Sequence, residues 1–183
     1  MRDVLLDARA AEAITVHGRT ESAVLVPLYL DGAGRLHAVF TKRRDDLRRH
    51  PGEISFPGGR QEEADEDLRA TALREAEEEV GLPAAGVELV GALPPTPTFV
   101  TNYAIYPFVG LIEPGFAWAV ADAEVAQVLE LPLEAVRSGY ARRRMVRRGM
   151  AFRTDTYLVG DDLIWGATAR IVADLLDRVP APG

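Results

Sequence analysis

Residues 56–82 read FPGGRQEEADEDLRATALREAEEEVGL, and the rest of the chain is arranged around them. Pro57-Gly58-Gly59 ends any preceding strand, and its two glycines let the backbone approach a ligand closely. Residues 67–80 are strong helix formers, so the stretch predicts a loop and then a helix. At about 100° per residue, Glu75, Glu78 and Glu79 share one narrow sector of that helix, with Arg74 at its margin. Leu73, Ala76 and Val80 lie opposite. One face is acidic and the other is core.

Like charges three and four residues apart cost an isolated helix a few tenths of a kcal/mol per pair. A divalent cation removes that cost. Hard cations such as Mg²⁺ prefer carboxylate and carbonyl oxygens and share their remaining positions with water and substrate phosphates. Glu75, Glu78 and Glu79, beside a loop that offers a carbonyl, suit that chemistry. A Glu-rich helix simply facing solvent is the plainer alternative. It must also account for the Gly-Gly loop, Arg74 and the stop at Gly81.

The stretch resembles the Nudix box, G-x5-E-x7-R-E-U-x-E-E-x-G-U, where U is a bulky aliphatic residue. Residues 74–82 (REAEEEVGL) fit its second half, with the small Ala76 at a U position. In the first half one extra residue separates Gly59 from Arg74, and Asp65 is the best match to the first Glu. Both departures resemble the coenzyme A pyrophosphatase branch. That branch carries the upstream pattern T-x-R-[S/A]-x3-R-x3-G-x3-F-P-G-G, and this chain has Thr41, Arg43, Arg48, Gly52 and Phe56-Pro57-Gly58-Gly59 at those spacings. Arg44 stands where the pattern has a small residue, and Glu53 where Gln is expected.

Composition narrows the field. A chain of 183 residues with 48% hydrophobic and 27% charged residues is a soluble globular type, expected to form one domain over residues 1–183 with an arm or short helix over 1–20. Zero cysteines exclude a disulfide framework and a thiol nucleophile. His17, His37 and His50 are not clustered, so a histidine metal site is not expected. The net charge of −7 argues against nucleic-acid binding, which needs a concentrated positive surface. Small phosphorylated ligands remain open. The first 17 residues are too charged for a secretory signal, and no run approaches the roughly 18–20 apolar residues of a membrane span. The expectation is cytoplasmic, with no membrane partner; composition leaves monomer and homodimer both open.

Along the chain, residues 22–30 and 36–42 are rich in strand formers around an Asp31-Gly32-Ala33-Gly34 turn, which predicts a hairpin. A basic loop with Arg43 and Arg48 follows, then a short strand at 54–56. Those arginines face either solvent or the same cleft as the acidic helix; in the cleft, the planar guanidinium suits phosphate. Residues 87–92 and 106–112 read as strands flanking a proline-punctuated loop over 93–101. Its Phe99, with Tyr103, lines a pocket or caps a strand end. Residues 122–129 read as a short helix carrying Glu124. Arg142, Arg143, Arg144, Arg147 and Arg148 form the strongest basic cluster: a terminal-phosphate site, a solvated hairpin face or an interface with an acidic partner. A strand at 151–159, a turn at Gly160-Asp161-Asp162 and a closing helix over 167–176 complete the reading.

Strand and helix order alone gives an α/β class. The resemblance implies a Nudix-type α/β/α sandwich with a mixed sheet. It also implies Mg²⁺ or Mn²⁺ held by Glu75, Glu78, Glu79 and the Gly59 carbonyl, with a further carboxylate from Glu124, or Glu113 behind it. Arg74 is expected to orient the helix carboxylates through a charge-assisted hydrogen bond. The general base is Glu75 or Glu124. Arg43, Arg48, Gly58 and Phe99 are the candidate substrate contacts, and the expected substrate is a small phosphorylated molecule. The implied reaction cuts a diphosphate linkage, in coenzyme A or an acyl derivative. Another nucleoside diphosphate derivative, or nucleotide binding without turnover, stays open.

Overall fold

The structure, a computed structural model, describes residues 1–18, 20–47, 50–98, 102–121, 123–147 and 149–179. Arg48 and Phe99, both expected at the substrate site, lie outside the described residues, as do Asp122 and Arg148. After a short 3-10 turn at Arg2–Val4 comes a short helix α1 (Ala8–Glu12), capped by the Asp7 side chain. The expected hairpin forms from β1 (Thr20–Leu30) and β2 (Leu36–Arg43), joined at the Asp31 turn. Two short strands, β3 (Ile54–Ser55) on β2 and β4 (Gly58–Arg60) on β1, lead into α2 (Leu68–Val80).

Next come β5 (Glu88–Ala92), β6 (Thr96–Pro97), β7 (Tyr103–Leu111), β8 (Val125–Pro132) and α3 (Leu133–Ser138). The larger sheet runs β3-β2-β1-β7-β5, with β4 on β1, β6 on β7 and β8 on β2. The β1–β7 pair is parallel and the other pairings are antiparallel, so the sheet is mixed. A second sheet of three antiparallel strands, β9 (Tyr140–Arg147), β10 (Met150–Val159) and β11 (Asp162–Trp165), precedes α4 (Gly166–Arg178).

Both faces of the large sheet are covered, which is why β1 reads as a near-continuous apolar run. On one face Ala72, Ala76 and Val80 of α2 pack against Leu25, Val39 and Phe108. On the other, Val172, Leu175 and Ile164 pack against Val26, Leu28 and Phe40. The mixed α/β architecture is the expected one, with the second sheet and α4 forming the second covering layer.

One local reading is corrected. The described residues 123–129 do not form the expected helix: Val125–Pro132 is a strand paired with β2, and Glu124 sits just before it. Ala, Gln, Glu and Leu favour helix locally, but a full antiparallel ladder with Val125, Leu129 and Leu131 buried outweighs that preference. The basic residues 142–147 form the body of β9, which pairs with β10 along its whole length in a hairpin.

Candidate active site

Asp67 caps α2, its Oδ1 accepting from the Ala70 N–H at 2.9 Å, and Gly81 ends the helix in the left-handed conformation at φ 72°. The helix is therefore fixed at both ends. Ala119 and Ala121, in the segment before β8, donate backbone hydrogen bonds to the Val80 and Glu79 carbonyls. These bonds satisfy helix-end acceptors and dock the segment carrying Glu124 against the acidic face of α2.

Asp65, Glu75 and Glu78 come together around Arg74. Its Nε and Nη2 donate to the two oxygens of Asp65 at 2.9 and 3.1 Å, and Nη2 also reaches the Arg60 carbonyl at 3.2 Å. Its Nη1 lies 3.0 Å from Glu75 Oε1 and 3.0 Å from Glu78 Oε2. Arg74 thus contacts Asp65, Glu75 and Glu78 at once. Asp65 is buried and further held by Thr71 Oγ1 and the Glu62 N–H, each at 2.9 Å. The Arg74 guanidinium holds the Asp65 carboxyl well below the usual carboxylate range, aided by the Glu62 and Thr71 bonds against the cost of burial.

Gly59 has no side chain because the Glu75 carboxylate occupies the space: a Cβ there would stand 2.3 Å from Glu75 Oε1. A Cβ at Gly58 would likewise meet the Ala23 carbonyl oxygen at 2.3 Å. The two glycines are needed for close packing against β1 and α2. The Gly58 N–H donates to Glu79 Oε2 at 3.2 Å, so this group, expected at the substrate, serves Glu79.

Glu79 has its pKa pushed up to about 7, first by burial and then by the charges of Glu75 and Glu124, against the Gly58 N–H and Arg43. Burial also raises Glu75, with Glu78 and Glu62 adding to it and Arg74 opposing. Glu124 is exposed, with Oε2 at 3.4 Å from Arg43 Nη1. The buried Nε of Arg43 has no hydrogen-bond partner. Glu124, rather than Glu113, is the carboxylate that acts on Glu79; Glu113 is exposed beyond β7.

Among the described residues no three His, Cys, Asp or Glu side chains already converge as a metal-ligand set. Donor chemistry nevertheless fits a hard cation: the charges of Glu75 and Glu124 both act on Glu79, and the Gly59 backbone abuts Glu75. A cation would relieve that repulsion. Sequence reasoning did not find the Asp65 clamp or the Gly58 contact. Asp65 was visible as a motif match, but its pairing nine residues from Arg74 depends on the loop folding back.

The NUDIX domain profile matches residues 19–149. A protein of Enterobacter sp. (strain 638) named "Uncharacterized Nudix hydrolase NudL" is 41% identical over 162 residues, covering 87% of this chain and 83% of that protein. The protein of the same name from Citrobacter koseri is 40% identical over 159 residues, covering 86% and 81%. In fold, a MutT/nudix family protein from Enterococcus faecalis matches with TM-score 0.57 at 16% identity, covering 93% of this chain and 66% of that one. The NUDIX domain of Shewanella oneidensis NrtR, a cocrystal with ADP ribose, matches with TM-score 0.53 at 19% identity, covering 69% and 79%. The chain belongs to the Nudix family and is a Nudix pyrophosphohydrolase. Nudix hydrolases generally use divalent metal ions and bind small nucleotide substrates.

Proposed function

We propose that the protein is a Mg²⁺- or Mn²⁺-dependent hydrolase of coenzyme A or acyl-coenzyme A, giving 4′-phosphopantetheine and adenosine 3′,5′-bisphosphate. The observation that carries this reading is Arg43. The coenzyme A-type pattern running from Thr41 through Arg43 and Gly52 into Phe56-Pro57-Gly58-Gly59 delivers this arginine to the acidic face of α2, with a buried Nε still lacking a partner. A buried guanidinium donor beside carboxylates is suited to a phosphate oxygen.

Glu75, Glu78, Glu79 and the Gly59 carbonyl would hold the metal, whose contribution is to neutralise the diphosphate and lower the pKa of an attacking water. Arg74, anchored by Asp65, sets the position of Glu75 and Glu78. Glu75 or Glu124 accepts the proton as the water oxygen bonds to one phosphorus and the bridging P–O bond breaks. Arg43 steadies the charge that moves onto the leaving phosphate. Residues 1–183 act in this reading as one domain, in the cytoplasm.

One observation favours a second substrate class. Arg44, where the coenzyme A pattern has a small residue, pairs with Asp46 through bonds of 2.9 and 2.7 Å, so a charged pair stands where that pattern has none. The test is metal-dependent hydrolysis of coenzyme A, acetyl-coenzyme A, NADH, ADP-ribose and diadenosine polyphosphates, with products identified by mass spectrometry. Preferential release of 4′-phosphopantetheine is the expected result. Preference for another compound would keep the Nudix chemistry and overturn the coenzyme A assignment.

A further inference from the structure

Arg43 and Lys42 are adjacent in β2, yet their contacts lie on opposite sides of the large sheet. Arg43 meets Glu124 on the α2 side, whereas Lys42 Nζ bonds Asp162 of β11 at 2.8 Å. Around Lys42 is a pocket of about 400 Å³, walled on one side by residues 50–54 and on the other by the three-stranded sheet. Met145, Phe152, Leu163 and Trp165 from that sheet, with Ile54, supply its apolar surface. The pocket and the catalytic cleft meet at the same end of β2, where the Arg43 N–H donates to the Glu53 carbonyl at 3.0 Å.

Two independent features indicate an occupant. First, two of the eight large apolar side chains exposed among the described residues, Val146 and Phe152, line the pocket. Second, the pocket's charge is wrong for phosphate. Glu53, Asp161 and Asp162 line it against Lys42 and His50, with Lys42 already bound to Asp162 and His50 Nδ1 2.5 Å from Glu53. Charges already paired within the protein, beside an apolar wall, suit an uncharged amide-bearing chain with an apolar end. Concave pockets of this size that combine apolar walls with placed polar groups are the usual form of small-molecule sites.

We infer that this pocket receives the uncharged, amide-containing and acyl-bearing arm of the substrate, and that Phe152 and Met145 set acyl preference. This rests on the coenzyme A reading above, with the diphosphate at α2 and the arm passing over the end of β2. Adenosine 3′,5′-bisphosphate, being a polyanion, is excluded from the pocket.

The test uses the full chain with Trp118→Phe as background, so that Trp165 reports alone. Without metal, hexanoyl-coenzyme A is expected to change Trp165 emission saturably, while adenosine 3′,5′-bisphosphate does not. With metal, Phe152→Ala is expected to lower kcat/KM for hexanoyl-coenzyme A relative to coenzyme A about tenfold, with Met145→Asp stronger still and circular dichroism confirming the fold. If coenzyme A compounds are cut but Trp165 is silent and both variants keep the wild-type acyl ratio, the pocket assignment is overturned and the coenzyme A reading stands. If no coenzyme A compound is bound or cut, both fall.

Discussion

The acidic face of α2 and the basic strand β9 are the two densest charge clusters in the chain, and they differ in what surrounds them. Around Arg74, each carboxylate has a defined neighbour: Asp65 is clamped, Glu75 fills the place of a Gly59 side chain, and Glu79 is desolvated against the Gly58 N–H. On β9, Arg142, Arg143 and Arg144 stand exposed along a hairpin. Exposed charges in high dielectric gain and lose little. Burial and shared partners, rather than charge density, separate a reactive site from a solvated face.

The largest expected effect comes from removing the most desolvated carboxylate. Glu79→Gln keeps the size and the Gly58 hydrogen bond but removes the charge, and it should lower metal-dependent turnover by about a hundredfold or more with an unchanged circular dichroism spectrum. Wild-type-like turnover would erase the contrast drawn here.

Next is Arg74→Lys. An ammonium cannot span both Asp65 oxygens while reaching Glu75 and Glu78, so turnover should fall on the order of tenfold. A titration of activity against Mn²⁺ should show the loss partly recovered at high metal if Arg74 acts by positioning the carboxylates.

Asp65→Asn sharpens the same comparison through stability. Arg74 depresses the folded-state pKa of Asp65, so the ionised carboxylate stabilises the fold above its unfolded pKa of about 4, and that contribution is lost as pH falls through the lower folded value. The variant should be less stable by roughly 2–3 kcal/mol at pH 7. The gap to the wild type should narrow in denaturant melts below about pH 4. A gap independent of pH would show that the clamp is not electrostatic.

The smallest effect belongs to the hairpin. Replacing Arg142, Arg143 and Arg144 together by Gln should change diphosphate hydrolysis by less than about twofold and stability by about 0.5 kcal/mol or less. A large loss of turnover would make β9 part of the site.

How much of this was legible follows from the range of the forces involved. Helix α2 was readable because its cap, its periodicity and its Gly81 stop are local, and the clustering of Glu75, Glu78 and Glu79 follows from helical geometry. The β1–β2 hairpin was readable for the same reason. Strand β8 was not, because its residues prefer helix until β2 offers a ladder; β9 was not, because a run of arginines has no alternating apolar signal. The Arg74–Asp65 clamp required the loop over 60–67 to fold back, and the pocket beside Lys42 required β11 to meet β3. Neither is written in any single segment.

The claim that the α2 carboxylates form a metal centre, although no ligand set is preformed among the described residues, is tested most directly by Mn²⁺ titration followed by electron paramagnetic resonance, without substrate. The account predicts saturable Mn²⁺ binding by the wild-type protein and its loss, or weakening by at least about tenfold, in Glu79→Gln. Equal Mn²⁺ binding by both proteins would contradict it.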